Sequence, residues 1–217
     1  MADTDSRAGR TYAEPAVLAW LEDLHAPHDA ALAQAFGASE SENLPAIQVG
    51  PSEGRALELF LRLSNARRVV EIGTLAGYST LWMARALPPG GHLHTIEVDP
   101  LHAAVARRNL EAAGFGDRTT VHVGAALDVL PLLEGQGPFD AVFIDADKGC
   151  YDRYGAWAAR NLRSGGLLLG DNAFYFGKLL DGSAAAEAMR RFHEEAAAAF
   201  TTVCLPTPDG LLLGIRH

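Results

Sequence analysis

The 217-residue chain is 48% hydrophobic and 21% charged, with a formal net charge of −9. That suits one large folded domain able to bury on the order of 70% of its unfolded surface, without a disulfide or structural metal. Basic residues cluster only as the pairs Arg67-Arg68, Arg107-Arg108 and Arg190-Arg191. No apolar run approaches the roughly 20 residues that span a bilayer, so neither nucleic acid nor membrane is an expected partner.

The N-terminal stretch MADTDSRAGR has no apolar signal core, and residues 1–10 are expected to be disordered, with 11–217 forming a single domain. Helices are predicted at 12–24, 28–37 and 52–64, punctuated by Pro27, Pro45 and Pro51. From there β-branched or apolar runs at 68–72, 92–98, 119–123, 139–145 and 166–170 alternate with helical periods at 78–87, 100–113, 126–133 and 151–163. That alternation reads as βαβ units on a parallel sheet with helices on both faces. A helix at 183–198 precedes strands at 200–205 and 211–216, whose short TPDG link predicts an antiparallel pair. The fold class is α/β: a Rossmann-like, doubly wound, seven-stranded sheet, mostly parallel, with an antiparallel C-terminal hairpin. Cys150 and Cys204 form no CxxC pair and read as free thiols in a reducing compartment, hence a cytoplasmic location.

Residues 69–80, VVEIGTLAGYST, carry a strand into a glycine turn and then a helix. Gly73 and Gly77 admit a ligand close to the backbone, and the helix N-terminus beyond them offers N–H groups. The spacing is GxxxG rather than the GxGxxG of pyrophosphate-binding loops, which argues against a Rossmann oxidoreductase. Some twenty residues on, Glu97-Val98-Asp99 puts a carboxylate at a strand tip, placed for ribose hydroxyls. Glu71 ahead of the loop suits a cation such as an amino-acid ammonium. A nucleoside that carries an amino acid and no phosphate is S-adenosylmethionine. An ordinary strand-to-helix turn and a solvated strand end remain the plainer readings of each feature taken alone.

FIDADKG (143–149) breaks an apolar strand with Asp145, Asp147 and Lys148. Of eighteen basic residues only Lys148 and Lys178 are lysines. A lysine, unlike an arginine, can lose its proton inside a protein, so Lys148 is a candidate base; Lys178 matches no motif.

Taken together, IQVGPSEG (47–54), VVEIGTLAGYST, IEVDP (96–100), VHVGAALDVLP (121–131), FDAVFIDADKGCYDRY (139–154), RSGGLLLGDN (163–172) and PDGL (208–211) resemble the small metal-dependent O-methyltransferases. That family includes catechol and caffeoyl-coenzyme A O-methyltransferases and bacterial natural-product relatives. The resemblance implies that Val49, Glu71, Gly73, Gly77, Tyr78, Ser79, Glu97, Val98, Ala125, Ala126 and Asp145 bind S-adenosyl-L-methionine. It implies that Asp145, Asp171 and Asn172 hold Mg²⁺ or another hard divalent cation such as Mn²⁺ or Ca²⁺. Oxygen ligands at the carboxyl edge of a doubly wound sheet agree with that chemistry. Asp145 and Lys148 would be catalytic, with Lys148 deprotonating a metal-bound hydroxyl before in-line methyl transfer. The acceptor would be a catechol-like or other small phenol, the assembly a homodimer, and residues 11–64 lid or dimer elements. A catalytically silent cofactor-binding module is the rival reading. Two departures bear on the acceptor: Val203 stands where catechol O-methyltransferase has a further acid, and AFYFGKLLDG (173–182) replaces a Trp-Gly pair. Phe174, Tyr175 and Phe176 could equally wall a flat substrate or fill core. The eight histidines are scattered, and His94 and His122 read as structural.

Overall fold

The computed structural model describes residues 3–9 and 12–217. Of the stretch expected to be disordered, Thr4–Arg7 forms a helical turn, α1, while residues 1, 2 and 10 lie outside the described set. There follow α2 (Pro15–His25), α3 (Ala30–Phe36), α4 (Ala38–Ser41) and α5 (Pro51–Leu63). The alternating part comprises β1 (Arg68–Ile72), α6 (Tyr78–Ala86), β2 (His92–Glu97), α7 (Pro100–Ala112), β3 (Thr119–Val123), α8 (Ala126–Leu133), β4 (Phe139–Ile144), α9 (Tyr151–Asn161) and β5 (Leu162–Gly170). The chain closes with α10 (Ala184–Ala199), β6 (Phe200–Leu205) and β7 (Leu211–Arg216).

Helix starts follow local chemistry. Proline opens α2, α5 and α7, where its missing N–H costs nothing. Asp29, Asp99 and Ser183 cap α3, α7 and α10 through their side-chain oxygens, each cap contributing about 1 kcal/mol. The helix expected over 151–163 stops at Asn161, because Leu162 pairs with Phe139 and β5 begins there, four residues earlier than expected.

The sheet runs β3-β2-β1-β4-β5-β7-β6, with β3 to β5 parallel and β7 and β6 antiparallel. It is the Rossmann-like sheet expected, and strand order reverses between β1 and β4. Successive residues alternate between two cores. Val69, Leu93, Ala141 and Leu169 face Leu57, Leu61, Tyr78, Trp82 and Leu110 of α5, α6 and α7. Val70, Ile72, Val142 and Ile144 face Leu130, Tyr151, Trp157 and Phe192 of α8, α9 and α10. Fully burying each such side chain stabilises by roughly 1.5–3 kcal/mol. His94 and His122 lie within the sheet, 3.1 Å apart through Nδ1 and Nε2. Burial lowers His94 to about 4, which keeps it neutral and structural.

Register sets the functional edge. Ile72 pairs with Ile96 and Ile144, and Ile144 with Gly170, so the carboxyl ends of β2, β1, β4 and β5 finish in line. At the other extreme α2 buries none of its residues, and Trp20 and Leu24 are exposed. No helix among the described residues is long and apolar enough to cross a membrane.

Candidate active site

The turn after β1 is fitted to its neighbours through backbone. Gly73 has φ +98°, and a methyl group there would lie 1.9 Å from the carbonyl oxygen of Asp145. Both the angle and the space therefore require glycine. The Gly73 N–H donates to the Ile96 carbonyl at 3.0 Å, and the Asp145 N–H to the Ile72 carbonyl at 2.8 Å. Gly77, at φ +84°, leads into α6. The Tyr78 side chain turns into the core, where its hydroxyl lies 2.7 Å from His28 Nε2 and its ring packs on Phe36 and Trp82. With that side chain committed to the core, the Tyr78 backbone is what faces the turn.

Glu71 is fully buried beneath this turn, and both of its oxygens have neutral partners. Ser79 Oγ and Thr80 Oγ1 each donate at 2.5 Å. Burial pushes the carboxyl up to about 7 against the opposing pull of the hydroxyls. A cation arriving here would favour its ionised form. Glu97 does something the sequence did not reveal. Its Oε2 accepts from the N–H groups of Thr74 (3.2 Å) and Leu75 (2.8 Å), and Oε1 accepts from that of Asp99 (2.9 Å). The carboxylate expected to face ribose also pins the glycine turn to the end of β2. Val98 beside it is exposed. Ala125 at the start of α8 is exposed and Ala126 half-buried, and Val49 packs in the core just ahead of α5.

Asp145 follows β4, and Asp171 and Asn172 follow β5, the adjacent strand. Lys148 Nζ donates to Asp145 Oδ1 at 3.0 Å and to the Tyr151 hydroxyl at 2.8 Å. Its side chain is 15% exposed, so it is no solvated surface lysine. Tyr151 was missed by sequence reasoning. It is fully buried, and its hydroxyl donates to the carbonyls of Ile144 and Asp171, both at 3.1 Å. The signal lay in its place three residues after Lys148, since a buried phenol needs polar partners. Asp147 takes a local role, capping the turn at the Gly149 N–H (3.1 Å).

Asp171 is buried, and burial together with the charges of Asp145 and Glu53 pushes its carboxyl up to about 8. Asn172 holds φ +53°, a left-handed conformation that asparagine tolerates. Among the described residues no three His, Cys, Asp or Glu side chains are grouped to hold a metal; the donor set here is two carboxylates and an amide. Hard oxygen donors fit a divalent cation of the magnesium class, and such a cation would itself favour the ionised form of Asp171.

The loop after Asn172 is tied to the hairpin turn. Phe174 and Ala173 donate N–H groups to the carbonyls of Asp209 and Gly210, and the Phe176 N–H donates to Asp209 Oδ1 at 2.8 Å. The aromatics divide: Tyr175 packs on the core, whereas Phe176 is 61% exposed.

A sequence profile of the O-methyltransferase family matches residues 23–217. The catechol O-methyltransferase of Niastella koreensis is 46% identical over 179 residues, covering 80% of this chain and 81% of that protein. The catechol O-methyltransferase of Mycobacterium tuberculosis is 47% identical over 175 residues, covering 81% and 79%. The crystal structure of the O-methyltransferase from Bacillus cereus in complex with SAH superposes with a TM-score of 0.89 at 37% identity, covering 93% of this chain and 97% of that one. With its profile, its relatives and its sheet in agreement, the chain belongs to the O-methyltransferase family.

Proposed function

We propose that the protein transfers a methyl group from S-adenosylmethionine to a hydroxyl of a small catechol-like phenol, with a divalent metal and with Lys148 as the base. The observation that carries this reading is the Lys148–Asp145 contact at 3.0 Å, beside Asp171 and Asn172 on the neighbouring strand end. A bound Mg²⁺ held by Asp145, Asp171 and Asn172 would lower the pKa of an acceptor hydroxyl. Lys148 Nζ, steadied by the Tyr151 hydroxyl, then takes the proton at that edge. S-adenosylmethionine supplies the sulfonium methyl; the SAH carried by the Bacillus cereus relative is what the donor becomes after transfer.

Glu71 and the turn from Gly73 to Ser79 are the groups we assign to the methionine end of the donor. Glu97 and Val98 go to the ribose, Ala125 and Ala126 to the adenine through their backbone, and Val49 packs nearby. Glu97 can serve both ribose and turn, because each carboxylate oxygen accepts more than one hydrogen bond. Positioning the two reactants supplies much of the acceleration. Residues 11–64 we take as a cover for the acceptor and as contacts in a homodimer, in keeping with an α2 that buries none of its residues.

The test is methyl transfer from labelled S-adenosylmethionine to a panel containing catechol and caffeic acid, with Mg²⁺ present. Methylated catechol is the expected product. Absence of turnover across the panel, with SAH binding intact by calorimetry, would favour the silent cofactor-binding module instead.

A further inference from the structure

A cavity of about 540 Å³ is lined by residues of α3, α5 and α6 and of the link from α7 to β3. Its lining includes Arg55, Arg62, Arg85 and Arg118 against two carboxylates, Asp29 and Glu58. Glu58 is shared by Arg55 (2.6 Å) and Arg62 (2.7 Å), and Asp29 pairs with Arg85 (2.7 Å). Arg118 spends its Nη2 on neutral acceptors, the carbonyl oxygens of Leu87 and Pro88. Two positive charges are left in excess, in a chain whose net charge is −9. The carboxyl ends of α6 and α7 offset part of that excess.

The arginines are oriented before anything binds. Trp82 is fully buried, and the guanidinium carbons of Arg55 and Arg85 lie 4.5 and 5.8 Å from its ring centroid. Such stacking fixes a planar guanidinium, and the N–H groups not already on Glu58 or Asp29 remain for a ligand. Arg55 and Arg118 each keep a buried Nε with no hydrogen-bond partner, so neither guanidinium is fully satisfied within the protein. An oxyanion of two charges matches the excess and the forked donors.

We propose that this cavity is a binding site for a small phosphate dianion, either the free ion or a phosphate monoester. It would be separate from the methyl-transfer edge. The experiment is calorimetric titration of inorganic phosphate, and separately of glycerol 3-phosphate, into the full chain with excess SAH, ionic strength being held constant with potassium chloride. Saturable binding is expected. It should weaken about 10-fold or more in Arg118→Gln and in Arg62→Gln, as loss of a charged donor predicts, and stay unchanged in Lys148→Ala. Tighter binding of one probe identifies the source of the phosphate. Because Arg62 is largely exposed, its variant keeps the test open should Arg118→Gln not fold. Absence of saturable heat from both probes would overturn the proposal. So would wild-type affinity in both arginine variants.

Discussion

Asp140 and Asp171 belong to adjacent strands but to opposite edges of the sheet, and they are treated in opposite ways. Asp140, near the start of β4, is partly buried, which by itself raises its pKa. Arg163 donates to it at 2.6 Å, and the backbone N–H groups of Arg68 and Arg67 donate at 2.8 and 2.9 Å. These outweigh burial and hold the carboxyl below its ordinary value. Asp171, just past β5, is buried beside two further acids and is pushed up to about 8. One edge satisfies its charge from within and so stabilises the fold. The other gives Asp171 no such partner among the described residues, and under the proposed function a bound cation would supply the opposing charge.

The largest expected effect falls on the active edge. Lys148→Ala should lower kcat by about 10²–10⁴-fold while leaving SAH affinity near wild type. Lys148→Arg should not restore the rate, because arginine keeps its proton. Recovery of turnover in the arginine variant, measured by initial rates, would reduce Lys148 to a charge that steadies Asp145.

Gly73→Ala attacks the join between β1 and β4. The added methyl meets the backbone carbonyl of Asp145 at 1.9 Å and must also adopt φ +98°, so a loss of about 3 kcal/mol or more is expected in denaturant melts. Wild-type stability in that variant would mean that the turn opens to admit the methyl group.

At the structural edge, Asp140→Ala strips the partner from two backbone N–H groups and a guanidinium, and should cost about 2 kcal/mol. Activity per folded molecule should not change. Because the folded carboxyl lies below its unfolded value, its stabilisation is present above about pH 4 and is lost as pH falls through the folded pKa. The gap in Tm between wild type and variant should therefore close in acid. A gap that persists there would assign the loss to packing rather than to charge.

The smallest effect concerns Glu71. Its carboxyl, raised to about 7 by burial, must ionise to receive an ammonium. Affinity for SAH should therefore fall as pH drops below 7, by up to about tenfold per unit. It should level off above pH 8, and Glu71→Gln should flatten the profile.

The sheet was legible in the sequence because its strands are short apolar runs bounded by turns. Arg68–Ile72, Thr119–Val123, Phe200–Leu205 and Leu211–Arg216 fall where they were expected. Leu162 was read as helix because its strand pairing depends on Phe139, a partner 23 residues away. At the site, the resemblance carried by the motifs in their order pointed to Asp145, Lys148, Asp171 and Asn172, which lie within a few residues of the ends of β4 and β5. The bracing by Glu97 of the glycine turn could not be read in the same way, because the N–H groups it holds, those of Thr74 and Leu75, belong to the loop after another strand. The same holds for most of the arginine-lined cavity: Arg55, Glu58 and Arg62 share a helical spacing, but Asp29, Arg85 and Arg118 come from separate parts of the chain.

Under the proposed function the acids of the active edge work by holding a divalent cation. Methyl transfer to catechol should be followed after treatment with EDTA and then during stepwise return of Mg²⁺, with SAH affinity measured alongside. Turnover is predicted to vanish with chelation and to return with the metal, while SAH affinity holds. Undiminished turnover in EDTA would contradict the assignment of Asp145, Asp171 and Asn172.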